Sequence, residues 1–400
     1  MGHRFQQAFP KNSYSINRNI FHGYDMWLLT ITLFLICLGL VMVTSSSITL
    51  ADRHYHDPLY YFWRQLTSVG IALGLAFVLV RIPMEIWERL STILLVAGCI
   101  LLTLVLVPGI GREVNGSMRW IHTWPFPVQA SEPAKFCIIT YLAGYLVRHG
   151  AGIREQFAGF IKPIIILTII SALLLLEPDY GACVVIFSAA LGMLFLGGVP
   201  LSRFVSWMLV AGATLASLAI LSPYRIQRLI SFVDPWQDPF NSGFQLTQAL
   251  IAFGRGNWLG TGLGSSIQKL FYLPEAHTDF VFAIVAEELG LWGSLLVILL
   301  FCFLVWRAFV IGQVAEAGGR AFSAYFAYGT GLVIGTQAFI NIGVNMGVLP
   351  TKGLTLPFVS YGGNSMIVTT ALVAVLLRIE YENRQIRRVN IPPRSDVYAK

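Results

Sequence analysis

The chain has 400 residues, 56% of them hydrophobic and only 12% charged, with a formal net charge of +7. A soluble domain carries about 25% charged residues, so a water-facing enzyme is excluded, and the same apolar richness excludes disorder. The charges stand in short clusters between long apolar stretches, which marks an integral membrane protein, and the basic excess does not follow one face as nucleic-acid binding requires.

A helix needs about 20 apolar residues to cross the hydrocarbon core. In chain order the apolar stretches are 26–46, 61–80, 87–107, 131–147, 161–176, 181–198, 204–221, 280–306, 321–348 and 361–377. The fold class expected is an all-α integral membrane protein with ten transmembrane helices and a large extracytoplasmic loop, 222–279, between helices 7 and 8. Residues 1–25 read as a cytoplasmic tail, 26–377 as the membrane domain and 378–400 as a basic cytoplasmic tail. The first stretch is longer than a signal peptide's core and lacks a cleavage pattern, so it is retained. Pro83, Pro108, Pro178, Pro200, Pro223 and Pro350 punctuate the connections.

Seventeen of the 27 Lys and Arg fall on the side of the termini, and the positive-inside rule places that side in the cytoplasm. The five cysteines (Cys37, Cys99, Cys137, Cys183, Cys302) lie far apart inside apolar stretches. That spacing suits packing, not zinc or disulfides.

Two external segments, 108–130 and 222–279, are long enough to build a site. The second contains an apolar stretch, 244–253, expected to form a short helix at the outer surface. Its glycine run from Gly254 to Gly264 lacks the Gly-Lys-Ser/Thr of a phosphate loop and reads as turns between short helices.

Ionisable groups at membrane depth are costly and point to function. Glu132 and Lys135, three residues apart, share a helix face, as an internal ion pair or as part of a site. Glu177 and Asp179 flank Pro178 in a turn. Glu275, His277 and Asp279 close the long loop and open a helix that also carries Glu287 and Glu288. Asp279 has two readings, a helix N-terminal carboxylate favoured by the macrodipole or a reactive group.

Five strings carry a family resemblance: Asn115-Gly116-Ser117-Met118-Arg119-Trp120-Ile121, Gln129 to Lys135, Glu177-Pro178-Asp179-Tyr180-Gly181, Pro274 to Glu288, and Pro350-Thr351-Lys352-Gly353 through Tyr361-Gly362-Gly363. In this order they resemble the SEDS family, which acts in shape, elongation, division and sporulation, and the last two strings look like its division members. Pro133 and Asn364 depart from the usual pattern without touching the charged positions.

The resemblance implies the ten-helix SEDS fold and a peptidoglycan glycosyltransferase that polymerises lipid II, with undecaprenyl pyrophosphate as leaving group, in the cytoplasmic (inner) membrane at the septum. A catalytic aspartate would match Asp279. Its partners would be a class B penicillin-binding protein transpeptidase and other septal division proteins.

Such chemistry needs an apolar groove, cations for the pyrophosphate and a base for the sugar hydroxyl. Arg119, Lys135, Arg255, Lys269 and Lys352 are the candidate cations and Asp279 is the candidate base. His277 is the candidate to orient base or acceptor, and Glu132 and Glu275 complete the candidate substrate-binding set. Lys135, paired with Asp279 at rest, would weaken it as a base. A divalent cation, Mg or Mn, is a candidate aid to the leaving group, although the sequence shows no dedicated ligand cluster.

The rival reading is a flippase for the same lipid-linked precursor. Transporters often carry internal repeats, and the long loop has no counterpart in the first half of the chain. A non-enzymatic scaffold is the third reading, and in it the acidic and basic positions would be dispensable.

Overall fold

The computed structural model describes residues 24–114, 117–121, 123, 127–155, 157–220, 232–241, 243–350 and 353–390. Length and apolarity decide most of what forms. The described helices are α1 (Met26–Tyr55), α2 (Tyr60–Leu79), α3 (Met84–Val105), α4 (Ser131–Glu155), α5 (Phe157–Leu176), α6 (Tyr180–Leu196), α7 (Leu201–Ile220), α8 (Phe244–Gly256), α9 (Val281–Ala317), α10 (Ala321–Asn345) and α11 (Gly363–Asn390). Each of the ten apolar stretches falls on one of them, and the short helix expected in the long loop is α8.

Among the described residues six helices are long and apolar enough to cross a membrane: Met26–Tyr55, Tyr60–Leu79, Met84–Val105, Gly159–Leu176, Val281–Ala317 and Gly363–Arg387. Their outward faces are oily. On α2 and α3, Trp63, Phe77, Ile93, Val96 and Ile100 are all exposed, as side chains that meet lipid rather than water should be. The helices α4 and α10 are not among the six, and their composition gives the reason. Glu132 and Lys135 interrupt α4, and Gln337, Asn341 and Asn345 interrupt α10. Both helices sit inside the bundle, where protein can satisfy such groups. Helix α10 packs against α9, α6, α4 and α11, and Phe322 to Thr330 are all buried.

Three features go beyond the apolar stretches. First, the described residues of the external segment before α4 hold a small antiparallel sheet, β1 (Gly111–Val114), β2 (Ser117–Ile121) and β3 (Val128–Gln129), in the order β1-β2-β3. Alternation too short to read in the sequence is stabilised here by Gly111 pairing with Ile121 and Trp120 with Gln129. Second, the membrane helix does not end at 377. It continues as α11 to Asn390, held by Arg378 on Glu382, Arg384 on Glu380 and Arg320 on Glu382. The first part of the expected basic tail is therefore a charge-paired extension of the last helix. Third, Pro133 breaks nothing, because it stands in the first turn of α4, where a backbone N–H has no intrahelical partner anyway.

The glycine run has a packing explanation. Gly290, at φ +67°, kinks α9, and the loop after α8 lies directly on that kink. A Cβ on Gly260 would stand 2.2 Å from the Glu288 carbonyl oxygen. The amides of Thr261 and Gly262 donate to the carbonyls of Glu287 and Glu288, at 2.9 and 3.1 Å. Close backbone approach is what Gly256 and Gly260 of this run permit, against the backbone of Ala286 and Glu288. All five cysteines are free.

Candidate functional site

The site is built around irregular backbone buried inside the bundle. Residues 353–362 run without helix or strand, yet Leu354, Leu356, Phe358, Val359 and Ser360 are buried. Unpaired peptide groups at this depth cost several kcal/mol each, so side chains must serve them. The Gln65 amide donates to the Ser360 carbonyl and accepts from the Gly362 N–H. Asn341 donates to the Leu354 carbonyl, and Gln337 donates to the Thr355 carbonyl at 3.0 Å. The Ser360 hydroxyl accepts from the Leu356 amide at 2.8 Å.

Asp279 meets this segment from the other side. It is half-buried at the foot of α9, with its Oδ2 toward Gly353, where an added Cβ would lie 3.0 Å away. Its backbone carbonyl accepts from both Asn341 and Asn345, each at 2.9 Å. It is not the helix cap. Phe280 holds that position without a side-chain cap bond, and the first-turn amide of Ala283 donates instead to Asn345 Oδ1 at 3.0 Å. His277 is buried with its ring between those of Tyr61 and Tyr361, 4.7 and 5.6 Å away, and its carbonyl accepts from the Tyr361 amide. Burial pushes its pKa down, with Glu275 opposing, so the ring is neutral at neutral pH. Glu275 itself is exposed and accepts from the Thr278 hydroxyl at 2.7 Å.

Lys135 comes in from α4, only 2% exposed. Its ion pair is with Glu132 at 2.8 Å, not with Asp279, and it also donates to Gln337 Oε1 at 2.7 Å. The carboxylate-weakening pair imagined for the resting state is therefore replaced by a Glu132–Lys135–Gln337 cluster. An ammonium has three N–H donors. Two are committed here, to Glu132 and Gln337.

Beside this cluster lies the acidic turn. Asp179 caps α6 by accepting from the Ala182 amide, and its other oxygen accepts from the Ser131 hydroxyl at 2.8 Å and from Gln129 at 3.3 Å. The next helix residues touch the buried segment, since a Cβ on Gly181 would stand 2.7 Å from the Leu354 side chain. Arg119, on β2, donates to the Pro178 carbonyl at 2.6 Å. Glu177 is fully buried with neither carboxylate oxygen hydrogen-bonded. Burial first, then Asp179, pushes its pKa up to about 8, against the pull of Arg119.

A carboxyl that stays protonated in the fold while the unfolded chain ionises near 4.5 loses stability as pH rises from there toward 8. Glu177→Gln removes that slope. Its melting temperature in detergent is expected to equal the parent's near pH 4.5 and to exceed it at pH 8. A parent-like fall in melting temperature across that interval would show that Glu177 is ionised.

Two of the five candidate cations are placed elsewhere. Arg255 faces Glu287 at 3.6 Å, and Lys269, itself buried, pairs with Glu288 at 2.9 Å. Glu288 also accepts from the Ser45 hydroxyl of α1, and Glu287 from the Ser266 hydroxyl and the Ile267 amide. This network pins the long loop to α9. Arg255 and Lys269 are committed to neutralising it, and Glu287 has no spare face as a base. Lys352 lies outside the described residues. Among the described residues no three of His, Cys, Asp and Glu are grouped as metal ligands.

Gln337, Asn341 and Asn345 escaped the reading of charges alone. Their signal was present in the sequence as three amides at i, i+4 and i+8, on one stripe of an otherwise apolar helix.

Residues 26–385 match the family of FtsW, RodA and SpoVE, described as cell cycle proteins. Among similar curated proteins, the probable peptidoglycan glycosyltransferase FtsW of Nitrosococcus halophilus is 56% identical over 360 residues, covering 90% of this chain and 93% of the relative. The protein of the same description from Hahella chejuensis is 54% identical, covering 90% of each. Two solved structures share the fold. One, described as a peptidoglycan synthase complex that coordinates polymerization and crosslinking, aligns with TM-score 0.75 at 28% identity, over 90% of this chain and 99% of the other. The rod shape determining protein RodA of Thermus thermophilus aligns with TM-score 0.67 at 26% identity, over 91% and 98%.

Proposed function

This chain belongs to the FtsW, RodA and SpoVE family of cell cycle proteins, and we infer from that membership that it is a peptidoglycan glycosyltransferase of the cell-division branch. It polymerises lipid II into glycan strands at the septum and releases undecaprenyl pyrophosphate. The observation that carries the chemistry is that one polar stripe of α10 holds both the buried Lys135 ammonium, through Gln337, and the backbone carbonyl of Asp279, through Asn341 and Asn345.

In the reaction the acceptor hydroxyl attacks the anomeric carbon of a lipid-linked sugar as the pyrophosphate departs. Asp279 takes the hydroxyl proton. Lys135, with Arg119, meets charge developing on the leaving pyrophosphate. One displacement inverts the anomeric centre, so an α-linked donor gives a β-linked strand. Neutral His277, locked between two tyrosines, orients the acceptor or the carboxylate without adding charge. Lys352 remains a proposed cation, and Glu275 a proposed rim contact for the sugar.

The test is incubation of the purified protein in proteoliposomes with lipid II, alone and with its class B penicillin-binding protein. Glycan strands are expected, in greater yield with the partner, because a bundle with one modest outer loop leaves docking to exposed helix faces. Equal yield with and without the transpeptidase would remove the activation. Transfer of lipid II between leaflets with no polymer in either arm would establish the flippase instead.

All ten apolar helices cross the inner membrane in this reading, with both termini cytoplasmic and 222–279 outside, as the cation asymmetry indicates. Cysteine introduced at Gln237, exposed in the long loop, should react with an impermeant maleimide on intact cells, and one at Gln385 should not. Labelling at Gln385 would invert the topology.

A further inference from the structure

We propose that Gln337 is a positioning residue of the reaction, and that one stripe of α10 (Gln337, Asn341, Asn345) sets the placement of cation and base together. This rests on the roles of Lys135 and Asp279 given above and adds the part that holds them.

The hydrogen bonds fix which way the Gln337 amide points. Its Nε2 donates to the Thr355 carbonyl and toward the Ser365 hydroxyl, at 3.0 and 3.4 Å. Its oxygen must therefore face the other way, where it receives the Lys135 ammonium at 2.7 Å. A flipped amide would point N–H at the ammonium and a carbonyl at a carbonyl, so only one orientation is satisfied. Lys135 is thus held from two sides, by an anion on its own helix and by a neutral oxygen on α10. A second carboxylate in place of that oxygen would compete with an incoming pyrophosphate; an amide holds the ammonium without cancelling more of its charge.

One and two turns along the same face, Asn341 and Asn345 both donate to the Asp279 carbonyl. A carbonyl has two lone pairs, and filling both fixes the peptide plane from which the Asp279 side chain departs. Asn341 also holds the Leu354 carbonyl, next to the glycine that Asp279 faces. Residues 337 and 345 are about 12 Å apart along a rigid helix at ~1.5 Å per residue. Distance between the group that holds the leaving pyrophosphate and the group that takes the proton is then a property of one helix. Reaction rates are sensitive to errors of about 1 Å in such placement.

The experiment is a double-mutant cycle on lipid II binding, with polymerisation measured in parallel. Gln337→Met keeps volume and helix preference and removes the acceptor. It is expected to weaken lipid II binding about tenfold while Lys135 is present. In the Lys135→Ala background the same change should alter binding less than about twofold, because it acts through Lys135. Asn341→Leu should do the reverse, lowering the turnover at saturating lipid II about tenfold with binding unchanged. A merely structural role would scale all activity by the folded fraction and show no such split.

Equal weakening by Gln337→Met in both backgrounds, or none in either, overturns the proposal. If the Met variant does not accumulate, Gln337→Leu removes the same acceptor, and the cycle is decided on it in the same way. Asp279→Asn in the same assay reports separately on the base. Normal polymerisation there would remove the base reading, while the binding cycle would still report whether Gln337 acts on Lys135.

Discussion

Asp279→Asn is expected to lose at least about 10²–10⁴ in polymerisation, the range that general-base catalysis contributes, while still binding lipid II. The substitution keeps shape and removes basicity. What makes it decisive is the local structure. Were Asp279 a cap for α9, Asn would serve about as well as Asp and the variant would polymerise normally. Phe280 stands at the cap position of α9, and Asn345 serves the Ala283 amide. A melting temperature taken beside the rate separates helix stability from chemistry at this position. A purified Asp279→Asn protein that elongates glycan at more than about a tenth of the parent rate would sink the assignment. Glu287 cannot step in, being enclosed by Ser266, the Ile267 amide and Arg255. Glu275, exposed beside Thr278, would become the next candidate.

Lys135→Ala is expected to lower polymerisation by about a hundredfold, because a hydrogen bond between charged groups is worth up to about 3 kcal/mol. Removing one member of a buried pair leaves the other uncompensated, at a cost of about 3–5 kcal/mol, and Glu132 would be that remnant. The paired change Lys135→Met with Glu132→Gln removes both charges together and is the control for folding. If Lys135 meets the pyrophosphate, both variants should fail to polymerise although the second is stable. Normal turnover in the doubly neutral protein would reduce the Glu132–Lys135 pair to a packing device. Lys135→Arg should also be inactive. The ammonium sits between Glu132 and Gln337, 2.8 and 2.7 Å away at 2% exposure, and a planar guanidinium does not fit a seat shaped for a point charge.

What could be read before any coordinates is bounded by what one helix turn or one apolar run encodes. Ten apolar stretches fell on ten helices because helix length and apolarity are both local properties. Pairing of Glu132 with Lys135 was legible for the same reason, since three residues along a helix is one face. The short sheet was not, because β1 and β3 take their places by pairing with β2, and β1 and β2 pack against α3. Nor did local sequence reveal where α11 ends, since its last turns are held partly by Arg320 and Arg307 from other helices.

The candidate site divides along the same line. The identity of its charged groups came from sequence, as costly residues in an apolar chain must be there for a reason. Their sorting did not. Arg255 and Lys269 carry the same charge as Lys135 and Arg119, and nothing along the chain distinguishes a cation meant for pyrophosphate from one that neutralises Glu287 or Glu288. That distinction rests on contacts between residues separated by 19 positions or more, which only folding brings together. The amide stripe of α10 shows both sides at once. Its i, i+4, i+8 spacing was written in the sequence, but its partners, Lys135 from α4 and the backbone of Asp279 and 353–355, meet it only in the tertiary structure. A buried polar group must find its partner wherever the fold places one.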